Sequence, residues 1–133
     1  YTELVLGVEI NSNDENLINL LYDMCSGEAD ENIYGFNHEL FKTDRWNYML
    51  SSGSYYFNGQ NHREFKYDSI TKSYFLTLRF NMKNYDHEIQ KFLDFIRPYC
   101  DDIGFVGYIK YEEWNDPKLI YFAEDKVLYK EVV

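Results

Sequence analysis

The 133-residue sequence has only two cysteines, Cys25 and Cys100, and they lie far apart. That excludes a disulfide framework and any zinc-type Cys spacing, and it favours reduced thiols in a cytosolic setting. Proline and glycine are sparse, at two and seven, and no low-complexity run occurs. A linker or a second domain is therefore not expected, and the length suits a single domain. No apolar run approaches the roughly 18 residues that a membrane-spanning helix needs. No signal-peptide pattern stands at the start, although the sequence begins at Tyr1 and its natural N-terminus is left open.

Positive charge is scarce as well. The chain has 13 Lys and Arg against 23 Asp and Glu, for a formal net charge of −10. The deficit is local: residues 1–41 hold nine carboxylates and no Lys or Arg, whereas residues 42–110 hold ten bases and eight acids. An acidic chain repels phosphate, so neither nucleic acid nor an anionic membrane is an expected partner.

Aromatic side chains are abundant: 14 Tyr, 10 Phe and 2 Trp. Tyrosine in such numbers suits sheets and interfaces, because the ring is apolar and the hydroxyl stays wet. The elements follow from periodicity. Leu4, Leu6, Val8 and Ile10 alternate with Glu3, Val5, Gly7 and Glu9, which predicts a strand with Glu3 and Glu9 on its solvent side. Ser12 stands three before Glu15 in capping-box spacing, and Leu17, Leu20, Leu21 and Met24 form one helical face ended by Ser26-Gly27.

Residues 28–45 read as an ordered connection, with Glu28, Asp30 and Glu31 in solvent and Tyr34, Phe36, Leu40 and Phe41 packing it down. Arg45 to Leu50 fits either an alternating strand or a short helical turn. Ser54 to Phe57 reads as a strand, Asn58-Gly59 as a hairpin turn that includes His62 nearby, and Glu64 to Tyr67 as the return strand. Asp68 to Lys72 is a further turn, and Ser73 to Met82 a long alternating strand.

The second helix is the clearest element. Asn84 or Asp86 caps it. Ile89, Phe92, Leu93 and Ile96 face the core, Asp86, Glu88, Gln90, Lys91 and Asp94 mostly face water, and Pro98 stops it. Strands over 104–111, 119–122 and 127–129 complete the order β-α-β-β-β-α-β-β-β. This is a two-layer α+β domain with a mostly antiparallel sheet and two helices on one face, of ferredoxin-like or related topology.

The stretch GFVGYIKY at 104–111 has the look of a base-stacking strand of an RNA-recognition motif. Two facts oppose that reading. It follows the second helix, where such a strand precedes it, and its flank is Glu112, Glu113 and Asp116, which repel phosphate. An ordinary central strand, with Gly104 and Gly107 allowing close packing, is the reading preferred.

No catalytic constellation stands out. His38, His62 and His87 have no ligand spacing, and the lone thiols sit just past helix ends, where the dipole disfavours thiolate. Glu112 and Glu113 point to opposite faces of a strand and cannot act as a pair. Neither a cofactor nor a metal is expected. A polar site built from Glu112, Asp116, His62 and Tyr108, in a pocket beside the 28–45 connection, would make the domain a small-ligand binder or enzyme. The favoured reading is a protein-interaction surface. Arg45, Trp46, Tyr48, Tyr55, Tyr56, Tyr67, Tyr108, Tyr111 and Trp114 exceed what one core needs, and these residue types anchor interfaces. Edge pairing of 54–57 or 119–129 into a homodimer is compatible with it.

Three stretches, SSGSYYF at 51–57, NMKNYDHEIQKFLDFIRPY at 81–99 and GYIKYEE at 107–113, together resemble a group of small uncharacterised proteins encoded by bacteriophages and prophages. The resemblance covers residues 46–113 and is weakest before them, at 28–45. These segments are structural in type. The resemblance implies a bacterial or phage cytoplasmic setting and an accessory role, and it carries over no active-site residue.

Overall fold

The computed structural model describes residues 1–30 and 34–132. Glu31, expected in solvent, lies outside the described residues. Strand β1 (Thr2–Ile10) leads into helix α1 (Glu15–Ser26). Strands β2 (His62–Asp68) and β3 (Ser73–Met82) follow, then α2 (Glu88–Ile96), β4 (Gly104–Tyr111), β5 (Lys118–Phe122) and β6 (Val127–Glu131). Three short 3-10 helices cover Glu39–Lys42, Trp46–Ser51 and Arg97–Tyr99.

All neighbours in the six-stranded sheet are antiparallel, in the order β2-β3-β1-β4-β5-β6. Helix α1 carries the chain across β3, and α2 carries it across β1. This is the split β-α-β arrangement of a ferredoxin-like domain, lengthened at the β4 side by the β5–β6 hairpin.

The alternation of β1 and β3 places Leu4, Leu6, Val8, Ile10, Leu76, Leu78 and Phe80 in one core with Leu17, Leu20, Leu21, Ile89, Phe92, Leu93 and Ile96. Both helices therefore cover the same sheet face, as a period of two meeting a period of 3.6 requires. Asp14, rather than Ser12, caps α1 by accepting from the Asn16 amide at 2.9 Å. Gly27, with φ 74°, ends it, and the Glu28 amide reaches back to the Asp23 carbonyl at 2.8 Å. Asn84 does cap α2, through its side-chain oxygen on the Ile89 amide at 2.9 Å.

Several expectations change. Ser54 to Phe57 is not a strand, and Asn58-Gly59 is not a hairpin turn; β2 pairs with β3 alone, through the turn at 68–72, and its outer edge carries no further strand. His62 is accordingly the first residue of β2. Residues 52–61 instead lie over one end of the helix-free sheet face. Asn61 donates to the Ser52 carbonyl at 2.9 Å, Arg79 donates to the Asn58 carbonyl at 2.6 Å, and Lys110 sits 5.7 Å from the Phe57 ring centre.

Glu3, placed in solvent by the alternation, is therefore buried. It accepts from Tyr108 at 2.8 Å and pairs with Arg79 at 3.4 Å. Glu88, also expected in water, is fully buried. It shares a helix edge with Phe92 and Phe95 at spacings of four and seven, and the packed-down connection covers that edge with Phe36 and Phe41. Arg45 to Leu50 takes the helical option.

The two glycines of the opening of β4 act differently. Gly107 leaves no room for a side chain, since a Cβ there would fall 1.9 Å from the Val5 carbonyl oxygen. Gly104 has open space but a φ of 103°.

Candidate functional site

The register decides which residues meet. Thr2 pairs with Met82 on one side and with Tyr111 on the other. The start of β1, the start of α2 and the end of β4 thus share one end of the molecule. Aromatic side chains gather there. Tyr85 is 71% exposed, and the Arg45 guanidinium stands 5.2 Å from its ring centre. Tyr111 and Trp114 have ring centres 6.2 Å apart, and Lys118 lies 4.7 Å from the Trp114 ring. Tyr1 packs on Tyr56 at 5.4 Å, and Tyr56 stacks on Tyr55 at 5.7 Å. Tyr55 is 94% exposed. Tyr48 is exposed close to Arg45.

Between these rings lies a cleft of about 230 Å³, bounded by Tyr1, Tyr85, Tyr111 and Trp114 and floored by Ile109 and Thr2. His87, held at φ 56° ahead of α2, lines it too. The polar groups at the helix start are mostly engaged. Asn84 donates to Gln90 at 2.8 Å, and Glu88 accepts from the Asp86 amide at 3.1 Å. Arg45 bonds Glu88 at 3.2 Å and Asp86 at 3.5 Å, and these carboxylates hold its guanidinium above its ordinary pKa. Glu113, more than burial, raises the Tyr111 phenol.

Six of the eight residues expected to form an interaction surface meet at this end: Arg45, Tyr48, Tyr55, Tyr56, Tyr111 and Trp114. Trp46 does not, being 1% exposed and packed edge-on against Phe41 at 4.8 Å. Tyr108 does not either. It is half-buried on the helix-free face, where burial and its bond to Glu3 raise its phenol pKa. Tyr67 is exposed on β2, away from this end, beside Tyr74. Sequence reasoning missed Tyr85, although its position just ahead of an amphipathic helix next to a capping residue was a usable signal.

The expected polar site does not assemble. His62 is on edge strand β2, separated from β4 by β3 and β1. Glu112 is bonded to the Tyr1 nitrogen, and its own amide donates to the Tyr1 carbonyl at 3.0 Å. Asp116 lies in a separate, shallow hollow with Asn115 and Glu131. The 28–45 connection packs on α2 through Phe36, His38 and Phe41 against Phe95, away from all three.

Burial pushes the Cys25 thiol up to about 11 and the Cys100 thiol up to about 12, the opposite of what a nucleophile needs. His38 is a cap, accepting from the Leu40 amide at 3.0 Å, and burial lowers its pKa. Among the described residues, no group of three or more His, Cys, Asp or Glu is placed to hold a metal ion.

Fold and site together define a two-layer α+β domain with a ring-lined end and a small cleft in it. No family model matches the chain, and no curated protein or solved structure does either. No helix of the described residues is long and apolar enough to cross a membrane.

Proposed function

We propose that this protein is a non-catalytic interaction module that docks a protein partner through its aromatic end. The observation that carries the reading is the gathering of Tyr48, Tyr55, Tyr56, Tyr85, Tyr111 and Trp114, with Arg45, on one surface. Tyr48, Tyr55, Tyr56 and Tyr85 are exposed, and Tyr111 and Trp114 are half-buried; large rings of this kind lose little side-chain entropy on binding and bury much area, which makes them anchors. Charge complementarity favours a partner with a basic segment, since the chain carries −10 and repels acidic surfaces. The setting proposed is the bacterial cytoplasm, with a phage- or prophage-derived origin. It is supported by the sequence resemblance and the two unpaired thiols. The alternative of a ligand pocket using Glu112, Asp116 and His62 gains no support from their separation.

The test is capture from bacterial lysate at two salt concentrations by the wild type and by a Tyr55→Ser/Tyr56→Ser/Tyr85→Ser variant. These side chains are exposed, so the variant keeps its fold. One stoichiometric protein held by the wild type and released by the variant is the expected result. Equal retention by both, or no partner for either, overturns the reading.

A further inference from the structure

We propose that two copies of this chain pair through the outer edge of β2, antiparallel and centred on Phe65, so that their six-stranded sheets join into one. Strand β2 stands at one end of the strand order, with β3 as its only sheet neighbour. Among the described residues, no backbone group of 62–67 bonds outside that pairing. His62, Arg63, Glu64, Lys66 and Tyr67 are exposed. Such an edge is a template for another strand.

Charge selects the occupant. Arg63 and Lys66 balance Glu64 and Asp68 in β2, whereas the whole chain carries −10. A second copy, equally acidic, is therefore repelled least along this strand. About a two-fold axis at Phe65, Glu64 of each copy lies opposite Lys66 of the other, Arg63 opposite Tyr67, and His62 opposite Asp68. Opposite charges directly across an antiparallel pair stabilise it, and like charges destabilise it. Moving the axis to Glu64 sets Glu64 against itself. Moving it to Lys66 sets Lys66 against itself and Glu64 against Asp68. The Phe65 register is thereby preferred to either neighbour. It also joins even-numbered residues to even-numbered ones, which keeps the helices of both copies on the same side.

These charges are unanswered within the chain. Glu64 and Lys66 lie on the helix-free face opposite the uncharged Thr77 and Phe75. Among the described residues, neither makes an ion pair. The other sheet edge differs. On β6, Glu131 pairs with Lys118 at 3.7 Å, and Lys130 stands 4.2 Å from the Tyr121 ring centre. A two-fold axis at Tyr129 would set Lys130 against Leu128 and Glu131 against Val127, which answers neither charge. In the β2 dimer the two aromatic ends point in opposite directions along the antiparallel strands, so docking there does not depend on the pairing.

The experiment is light scattering and sedimentation over a concentration series. The wild type is expected to reach the mass of two chains. Glu64→Lys and Lys66→Glu, at exposed positions, should each weaken association by about ten-fold or more, because each turns two opposite-charge pairs into like-charge pairs. Mixing these two variants should restore a dimer with one chain of each, since every charge again meets its opposite. A wild type that stays at the mass of one chain overturns the inference, and its charges then serve to keep the edge bare. A mixture that stays at the mass of one chain overturns it as well. So does association that survives both variants but is lost in Tyr55→Ser/Tyr56→Ser/Tyr85→Ser, which moves the second copy to the aromatic end.

Discussion

A carboxylate without solvent contact needs a counter-charge, and Glu88 finds it in Arg45. The pair is asymmetric: the Glu88 side chain is fully buried, while that of Arg45 retains about a quarter of its exposure. Removing the partner of a buried charge costs about 3–5 kcal/mol when both are buried. Partial exposure of Arg45 screens the pair and lowers that figure. Arg45→Met is therefore expected to destabilise the fold, read as a lower urea midpoint at unchanged slope. Adding Glu88→Gln should recover part of the loss, because it removes the stranded charge. A double variant no more stable than Arg45→Met alone would mean that the pair is not what holds this corner. The same guanidinium also stands 5.2 Å from the Tyr85 ring centre, so on the docking reading proposed above a change at Arg45 would alter stability and docking together.

At the scale of elements, the β5–β6 hairpin is the part most dependent on one side chain. It extends a four-stranded ferredoxin-like sheet from one edge, and buries Ile120 and Phe122 in the common core. Arg97, just past α2, fixes its turn. The guanidinium donates to the Ala123 carbonyl at 2.8 Å, to the Glu124 carbonyl at 3.2 Å and to the Cys100 carbonyl at 3.0 Å, and it stands 4.9 Å from the Phe122 ring centre. A buried arginine serving several carbonyls is a tie between layers, not a surface charge. Arg97→Ala should cost about 2–3 kcal/mol for the carbonyls left unmet. Hydrogen exchange locates the effect: amides of 118–131 should open sooner, while those of β1 and β3 hold. Uniform acceleration across the sheet would show that Arg97 supports the whole core instead. Gly107 acts on the same scale, since its missing side chain lets β4 close on β1 at the centre of the sheet.

For the whole molecule, the open sheet face answers the question raised by GFVGYIKY. The two central strands present Glu3, Val5, Gly7 and Glu9 from β1 and Phe75, Thr77, Arg79 and Asn81 from β3 on that face. Phe75 is the single ring among them. Tyr108 is engaged with Glu3, and loop 52–61 covers that end. A base-stacking platform needs several rings on open central strands and a basic surround. A fluorescent single-stranded RNA oligonucleotide should therefore show no anisotropy change at physiological salt. Saturable binding that weakens steeply with salt would refute this reading of the face.

Local pattern was enough for the helices, the core faces of β1 and β3, the turn at 68–72 and the two-layer class. Each depends on side chains a few residues apart, and such spacing is a property of the chain itself. Solvent exposure on the second face was not legible. The alternation separates Glu3 from Leu4, but it says nothing of loop 52–61 arriving over Glu3. The 3, 4, 7 stripe likewise marks Ile89 and Phe92 without announcing that the connection will cover Glu88.

The aromatic end was half legible. Residue type singled out Tyr55, Tyr56, Tyr111 and Trp114, yet Trp46 was counted with them and Tyr85 was not. Composition fixes how many rings a chain must place, and periodicity fixes which face of an element each takes. Strand order alone sets Thr2 between Met82 and Tyr111, and so brings the start of α2 and the end of β4 to one surface. That order is a long-range choice among antiparallel closures that satisfy the same local pattern, and only the packed tertiary structure makes it.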